Sequence, residues 1–298
     1  MKGMGLRGAD AESRQSRMAA VCFLAACGVA LFLSAVTVFL ERFSFATADE
    51  AWMAFALAGG FSGRPAIWVP YLSPVLTRAF AVLYSRAPGV PWYVLFHIVM
   101  IAASMTVINT CVMARTRKHF PDSALVPGAL FCLLADLPLC WALSRLTLYH
   151  VAAVTGAAVL CLLLDRLEGR RFAGSAILMI VLSFVSVSCA PIVGGGLAVC
   201  AFAIAACLYL KQKGDPNRGR IAVRGVCLVL AMGVLLAGTL VVTRRERDRL
   251  CGDGYVQWSA ARDAFIDGAP EAMRITGPPA NARAGRRNWE TWSPGASS

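Results

Sequence analysis

Seven long apolar runs limit what this chain can fold into. The first, at residues 18–40, has no charged residue, and a helix of this length, rising about 1.5 Å per residue, can cross a hydrocarbon core about 30 Å thick. The other six lie at 92–114, 124–143, 146–164, 172–189, 191–210 and 225–243. Charged residues are only 15% of the chain, against about a quarter in soluble domains, which excludes a soluble globular enzyme. The sequence therefore predicts an all-α integral membrane protein with about seven transmembrane helices.

The basic residues predict which side of the membrane each loop occupies. The N-terminal segment 1–17 and the loops at 115–123, 165–171 and 211–224 carry four, three, three and five Lys or Arg residues. The opposite side carries five before the C-terminal tail: Arg42, Arg64, Arg78, Arg86 and Arg145. Since cytoplasmic loops are enriched in Lys and Arg, we expect a multi-pass protein of the cell membrane with a cytoplasmic N-terminus and an external first loop at 41–91. Topology then explains the net charge of +12, and no nucleic-acid partner is indicated.

The stretch 66–84 decides this arrangement, since a further span there would move all three basic loops outside. It is apolar but contains Pro70, Pro74 and Arg78, so we expect it to remain external. Ser73 followed by Pro74 has the form of a helix start, with a capping hydroxyl before a proline at the first helical position. An apolar stripe follows, formed by Val75, Leu76, Ala79, Phe80 and Leu83. This pattern predicts a short interfacial helix lying on the membrane.

The C-terminal segment 244–298 differs in composition from the membrane domain at 18–243. It is rich in Arg, Gly, Ala and Pro, and it begins with four Arg residues that the seven-span count places outside. Such a composition predicts an external tail that is either low in sequence complexity or the start of a truncated domain.

An acidic pair, Asp49 and Glu50, lies in the first external loop, nine residues after the first span. Thr47 and Glu50 have the spacing of a capping box, and acids in a first turn complement the helix dipole. This structural interpretation accounts for Glu50 as a member of the capping box. It accounts for Asp49 only as one more favourable charge in the first turn of the helix. The alternative is that the pair is catalytic, with a carboxylate acting as general base.

Four polar residues fall within the spans or in the turn between two of them: His97, Asp136, Arg145 and His150. From their positions along the helices we expect all four within about 10 Å of the outer interface, with no comparable set at the inner ends. A charge at mid-membrane costs about 3 kcal/mol on insertion scales, which makes Asp136 a functional candidate. The structural alternatives are that Asp136 pairs with Arg145 or His150 and fastens helices, and that His97 is an interfacial histidine with its hydrogen bonds satisfied.

The order of these features resembles the conserved module of the GT-C membrane glycosyltransferases. That module has a basic N-terminus, one span, an external loop with an acidic pair and short surface helices, and six further spans. The stretches TADEAWMAFALAGGFSGRP and LYSRAPGVPWY are similar to the first loop of bacterial members. The resemblance covers about residues 18–243. It implies transfer of a sugar from a polyprenyl-phosphate donor to an acceptor of the cell envelope at the outer face of the membrane.

The resemblance also implies roles for particular residues. In this superfamily an acidic residue of the first loop is the general base or helps to hold a divalent metal ion, which is the one cofactor implied. That role falls on Asp49, with Glu50 beside it as the second catalytic candidate. The candidate substrate-binding residues are the external cations and the intramembrane polar residues: Arg64, Arg78, Arg145, His97, Asp136 and His150.

The chain departs from the superfamily after the last span. Members usually continue into further spans or a sizeable external domain, whereas 55 residues follow Thr243 here. Two functions without glycosyl transfer therefore stay open. One is a transporter or flippase subunit, which would use the intramembrane polar residues as a pathway, and the other is a non-catalytic scaffold or truncated remnant. A neighbouring cluster of genes for envelope sugars would favour the transferase.

Overall fold

The computed structural model describes residues 4–41, 44–61, 63–120, 123–167, 175–211 and 218–268, which are almost entirely helical. In chain order the elements are α1 (Met4–Leu40), β1 (Ser44–Phe45), α2 (Ala48–Leu57), α3 (Pro74–Arg86), α4 (Trp92–His119), α5 (Leu125–Ser144), β2 (Arg145–Leu146), α6 (Leu148–Leu167), α7 (Ser175–Cys189), α8 (Pro191–Lys211) and α9 (Arg218–Gly268). Each of the seven apolar runs falls on one of these helices, which confirms the predicted all-α fold class.

Five of the helices are long and apolar enough to cross a membrane, as expected of a multi-pass membrane protein. The stretches concerned are Ala20–Leu40, Trp92–His119, Leu125–Ser144, Leu148–Leu167 and Gly225–Arg249. The apolar stretches Ser175–Cys189 in α7 and Pro191–Cys207 in α8 are shorter, below or at the lower limit of the roughly 17–25 residues that a span needs. The count of seven spans therefore stays a prediction.

Helix α6 lies at the centre of the bundle. It packs against α4, α7 and α8, while α1 packs against α4 and α5. Side chains of α6 such as Val151 and Ala158 are completely buried. The outer helices α1, α5 and α9 instead expose Leu24, Leu137 and Val234 by 67%, 61% and 71%. Because lipid tails are as apolar as these side chains, such exposure is normal on the outside of a membrane bundle.

Helix α3 begins where the sequence predicts. The Oγ of Ser73 accepts a hydrogen bond from the N–H of Leu76 at 3.4 Å, and Pro74 occupies the first turn. The helix has 13 residues and is therefore about 20 Å long, too short to cross the hydrocarbon core.

The face that α3 packs against the protein includes one buried member of the predicted apolar stripe. Thr77 and the stripe residue Phe80 are buried, at 0% and 3% exposure, whereas Val75 and Leu83 of the stripe are 51% and 36% exposed. A helix at a membrane surface, as predicted here, has two apolar surroundings, the protein and the lipid. The outward direction of Val75 and Leu83 fits a helix that lies against lipid.

The last helix extends beyond the predicted end of the membrane domain. Helix α9 runs as one helix to Gly268, so the predicted tail is helical over 244–268, and residues 269–298 lie outside the described residues. The run 244–268 contains no proline, and its Arg-rich start favours helix formation. By internal contacts the chain divides into two compact units, Met1–Arg244 and Arg245–Ser298, and all sites described below belong to the first.

A partly buried ion pair joins the predicted cytoplasmic ends of α4 and α6. The sequence predicts Arg115 and Asp165 in loops, but both lie within helices, with Nε of Arg115 at 3.3 Å from Oδ1 of Asp165. Asp165 is fully buried. The expectation that these charges sit in loops is therefore wrong, because α4 and α6 continue further than their apolar runs.

We expect Lys118 to be cytoplasmic and both Arg64 and Arg86 to be external, because the basic loops set the orientation. All three side chains are exposed. In a cysteine-free background, a single Cys at position 64 or 86 should react with a membrane-impermeant thiol reagent in intact cells. A Cys at position 118 should react only after permeabilisation. Reaction of positions 64 and 86 from opposite sides would show that the α3 region crosses the membrane.

Candidate functional site

The carboxylate of Glu50 is the buried polar centre of the region between α1 and α4, which the sequence predicts to be external. Glu50 is 3% exposed. Its Oε1 accepts hydrogen bonds from Oγ1 of Thr147 and from the backbone N–H of Leu148, both at 2.8 Å. Its Oε2 accepts a hydrogen bond from the hydroxyl of Tyr93. One side chain of α2 is thus bonded to α4 and to the first turn of α6.

Half of the predicted capping box forms. Oγ1 of Thr47 accepts the N–H of Glu50 at 3.3 Å and caps α2. The Glu50 side chain does not return to Thr47 but reaches across to α4 and α6. The reciprocal half of the box was therefore wrongly predicted, because tertiary donors outcompete a local, exposed one.

The Glu50 carboxylate also completes the start of α6. The first N–H groups of a helix have no partner inside it, and Glu50 accepts the one from Leu148. A negative charge at this end complements the helix dipole. The same end is held by a short parallel bridge, in which Ser44 pairs with Arg145 and Phe45 with Leu146.

Tyr93 extends these contacts to α3. Its backbone N–H donates to the hydroxyl oxygen of Tyr84 at 3.1 Å. Its ring lies 5.8 Å from that of Phe80 and 6.3 Å from that of Phe45, measured between centroids. Burial raises the pKa of the Tyr84 phenol above its usual range, so this hydroxyl stays neutral at physiological pH. Glu50 and Tyr93 together fix β1, α2 and α3 onto the ends of α4 and α6.

A cavity of about 530 Å³ lies beside this network. Its wall is built from α2, the segment before α3, the start of α6, the α7–α8 junction and α9. The polar lining residues are Thr47, Asp49, Glu50, Trp68, Tyr71, Ser73, Thr147, Tyr149, Ser188, Thr239 and Thr243. The remaining lining is apolar and includes Met53, Leu72, Leu148 and Ile192. The volume lies within the range of small-molecule sites.

Asp49 presents an unpaired carboxylate in the wall of this cavity. It is exposed and lines the cavity, and within the described residues it has no hydrogen-bond or ionic partner. Consecutive helix residues point about 100° apart, so the inward direction of Glu50 turns Asp49 away from the same buried donors. The acidic pair thus divides into one structural and one accessible carboxylate.

Two further features mark the cavity wall. Tyr71 has φ = 68°, a left-handed conformation that is rare for residues other than glycine and that clusters at functional sites. Ser188 is 1% exposed, and its Oγ has no partner among the described residues. Its carbonyl oxygen accepts the N–H of Ser73 at 3.0 Å, which joins the start of α3 to α7.

His97 lies beneath the network and not in the cavity wall. It is fully buried, its Nδ1 is 2.8 Å from the carbonyl oxygen of Tyr93, and its ring centroid is 4.6 Å from that of Tyr93. His97 is thus packed one turn below Tyr93, but its Nε2 has no partner among the described residues, so the structural alternative of a histidine with satisfied hydrogen bonds holds for Nδ1 and not for Nε2.

The predicted external cations do not line the cavity. Arg64 and Arg78 are exposed and are absent from its lining. Arg145 lies with its guanidinium carbon 5.7 Å from the centroid of Trp141. His150 stacks on the same ring at 5.0 Å, and its Nδ1 is 2.8 Å from the carbonyl oxygen of Arg145.

Asp136 forms a separate site. It is fully buried and bonded to Asn109, not to Arg145 or His150. Asn109 follows His97 by 12 residues on α4, which places Asp136 about 18 Å further along the helix axis. The six predicted substrate-binding residues therefore do not converge, and of all the predicted site residues only Asp49 and Glu50 line the cavity.

The described residues do not build a metal site around Asp49. No group of three or more His, Cys, Asp and Glu that could hold a metal ion occurs among them. Glu50, the natural second ligand, has both oxygens bonded to protein donors. Asp49 alone offers one carboxylate.

Sequence reasoning missed most of the residues that surround the two carboxylates. Tyr93 carries the signature of an aromatic belt residue, and Thr147 is one more hydroxyl at a helix start. The available signal is the position of Thr147 directly before Leu148, the first residue of α6, where a capping residue is expected. Nothing local to Ser188 or Tyr71 marks them, since their place in the cavity wall depends on how α7 packs against the segment before α3.

Comparisons with protein-family models, with curated proteins and with solved structures find no match to this chain. Fold and site alone therefore define its class. Over the residues that the structure describes, it is a helical protein with five helices of membrane-spanning length and a mainly apolar cavity into which the unpaired carboxylate of Asp49 opens.

Replacing Glu50 should destabilise the protein, whereas replacing its neighbour should not. Glu50→Ala removes three hydrogen bonds to a carboxylate, each worth about 1.5–3 kcal/mol, and leaves buried donors unpaired. We expect a loss of at least about 3 kcal/mol, seen as a lower melting temperature in detergent and a lower yield. Asp49→Ala is the matched control and should melt close to the unmodified protein. Equal melting temperatures of the two variants would contradict an anchoring role for Glu50.

Proposed function

We propose that the protein is a glycosyltransferase of the GT-C type, which transfers a sugar from a polyprenyl-phosphate donor at the outer face of the cytoplasmic membrane. The observation that carries the proposal is the unpaired carboxylate of Asp49 in the wall of the 530 Å³ cavity. The resemblance of the first loop to that superfamily supports the same assignment. The proposal includes seven spans, a cytoplasmic N-terminus and an external cavity.

The chemistry needs one base and a place for the leaving phosphate. The oxygen of an acceptor hydroxyl attacks the anomeric carbon, and the bond from that carbon to the phosphate oxygen breaks with its electron pair leaving on the phosphate. Asp49 accepts the proton of the acceptor hydroxyl, as a positioned general base does. Glu50 is a positioning residue in this scheme, because its oxygens hold the loop and are not available to an acceptor.

Neutral donors in the cavity are suited to the phosphate. Thr239 and Thr243 of α9, Tyr149 of α6 and Ser188 of α7 line it with hydroxyl groups. Hydroxyl and backbone donors commonly bind phosphate oxygens, and donors fixed in advance stabilise charge that develops as a bond breaks. Arg64, Arg78 and Arg145, the predicted external cations, are not needed for this step.

A second, apolar cavity supports a donor with a hydrocarbon chain. It has a volume of about 210 Å³ and shares the residues Ser73 and Thr239 with the first cavity. Its other lining residues are Pro74, Val75, Phe184, Val234, Leu235, Gly238 and Val242. The first cavity carries a carboxylate and hydroxyl groups in its wall, and the second adjoins it between α3, α7 and α9. This pair of cavities matches an amphipathic donor, with the phosphate and sugar in the first and the start of the prenyl chain in the second.

Asp49→Asn should abolish transfer without affecting folding. The amide keeps the size of the side chain but cannot accept the acceptor proton, and loss of a general base costs about 10²–10⁴ in rate. Loss of one first-turn charge costs about 0.3–1 kcal/mol of stability. The measurement is transfer from radiolabelled polyprenyl-phosphate sugars to envelope extracts by purified protein. Asp49→Glu keeps a carboxylate and should retain part of the activity, whereas transfer by Asp49→Asn at the unmodified rate would remove the proposed base.

Filling the apolar cavity should weaken binding of long-chain donors in particular. A Cβ added at Gly238 meets no atom within 4 Å, so Gly238→Phe places a ring in open space beside Thr239. We expect a higher KM for a long-chain donor and a smaller change for a short-chain one. Gly233→Phe is the matched control, since Gly233 lies on the same helix, has equally open surroundings and does not line the cavity. Identical effects of the two variants would contradict the chain-binding role.

A further inference from the structure

A buried polar pair lies where α1, α4 and α5 meet, away from the cavity. Asn109 of α4 and Asp136 of α5 are both completely buried. Nδ2 of Asn109 donates to Oδ2 of Asp136 at 2.7 Å and lies 3.5 Å from the carbonyl oxygen of Ala26 in α1. The surrounding cluster is apolar and is built from Cys22, Ala26, Met113 and Cys132.

Two oxygen atoms of this pair have no partner within the described part of the chain. They are Oδ1 of Asn109 and Oδ1 of Asp136. An amide oxygen and an ionised carboxylate oxygen are both acceptors and cannot satisfy each other. Each unsatisfied buried polar group costs about 1–3 kcal/mol, and more if it is charged.

No positive charge compensates Asp136 among the described residues. The guanidinium of Arg145 lies over Trp141, and Arg115 is bonded to Asp165. The titratable groups in the apolar cluster are the thiols Cys22 and Cys132, and the Cys132 thiol donates to the carbonyl oxygen of Asn109 at 3.7 Å. An ionised Asp136 would therefore be held in an apolar interior by one neutral amide, an arrangement that proteins avoid by protonating the acid.

We propose that Asp136 is an intramembrane proton-binding site that holds its proton at neutral pH and shares it with Asn109. A proton on Oδ1 of Asp136 turns that atom into a donor to Oδ1 of Asn109. Together with the existing bond from Nδ2 to Oδ2, this closes a ring of two hydrogen bonds between the acid and the amide. Both orphan oxygens are satisfied by the single proton, and no cation is required.

A second buried carboxylate provides a contrast within the same protein. Asp165 is as buried as Asp136 but has a cationic partner, with Nε of Arg115 at 3.3 Å. Asn in place of a neutral acid can make the same two hydrogen bonds, whereas Asn in place of an ionised partner of arginine loses the charge that arginine requires. The melting temperature of Asp136→Asn should therefore be close to that of the unmodified protein, and that of Asp165→Asn should be clearly lower.

Infrared spectroscopy of the full-length protein in lipid nanodiscs tests the proposal directly. At neutral pH the unmodified protein should show the carbonyl band of a protonated carboxylic acid, shifted in D₂O, which is lost in Asp136→Asn and kept in Asp165→Asn. Asn109→Leu gives a second check, since it should move this band to higher frequency by removing its hydrogen bonds. Absence of the band in the unmodified protein would overturn the proposal. A second outcome would also overturn it. If the melting temperature of the unmodified protein were higher in sodium chloride than in choline chloride, and that of Asp136→Asn were not, a bound sodium ion would stand in place of the proton.

Discussion

The hydrogen bonds accepted by the buried carboxylate of Glu50 hold the region between α1 and α4 to the helix bundle. A carboxylate withdrawn from water must find donors for its oxygens, and Glu50 finds them on Tyr93, Thr147 and the N–H of Leu148. Those donors belong to α4 and to the start of α6, two helices that pack against each other. A loop that would otherwise move freely over the membrane is thereby fixed to the bundle.

The position of Asp49 follows from this constraint. On a helix with 3.6 residues per turn, the residue before an inward-facing Glu50 must point elsewhere, and here it points into the cavity. A rigid neighbour holds a reactive carboxylate more accurately than a loop can, which is a general requirement for catalysis by positioned groups. The proposed base therefore depends on an anchor that takes no part in the reaction.

In a membrane protein, an exposed apolar side chain does not by itself indicate a missing protein partner. In water, the exposed Val75 and Leu83 of α3 would indicate a missing partner, but a helix on a membrane surface has lipid on one side and protein on the other. The protein side of α3 carries Thr77 and Phe80 instead. Burial in this protein therefore reports packing between helices, whereas outward apolar residues are expected wherever a helix faces lipid.

Buried carboxylates in the bundle are compensated in three different ways. Glu50 uses three neutral donors, Asp165 uses a guanidinium, and Asp136 has a single amide. Sequence position says little about which of these applies, since each partner is distant along the chain: Asn109 precedes Asp136 by 27 residues, and Thr147 follows Glu50 by 97. The compensation is decided by which helices pack against each other.

The sequence by itself determined the helical class, the location of the helices and the helix starts at Thr47 and Ser73. It could do so because apolar run length, proline position and capping residues act over a few neighbours in the chain. The tertiary structure decided that Glu50 is an anchor while Asp49 is accessible, and that Asp136 pairs with Asn109 and not with Arg145. It also decided that Phe80, a member of the predicted apolar stripe, faces the protein. Each of these outcomes depends on hydrogen-bond donors and surfaces that belong to helices far away in the sequence. A local sequence pattern holds no information about which of those helices packs against it.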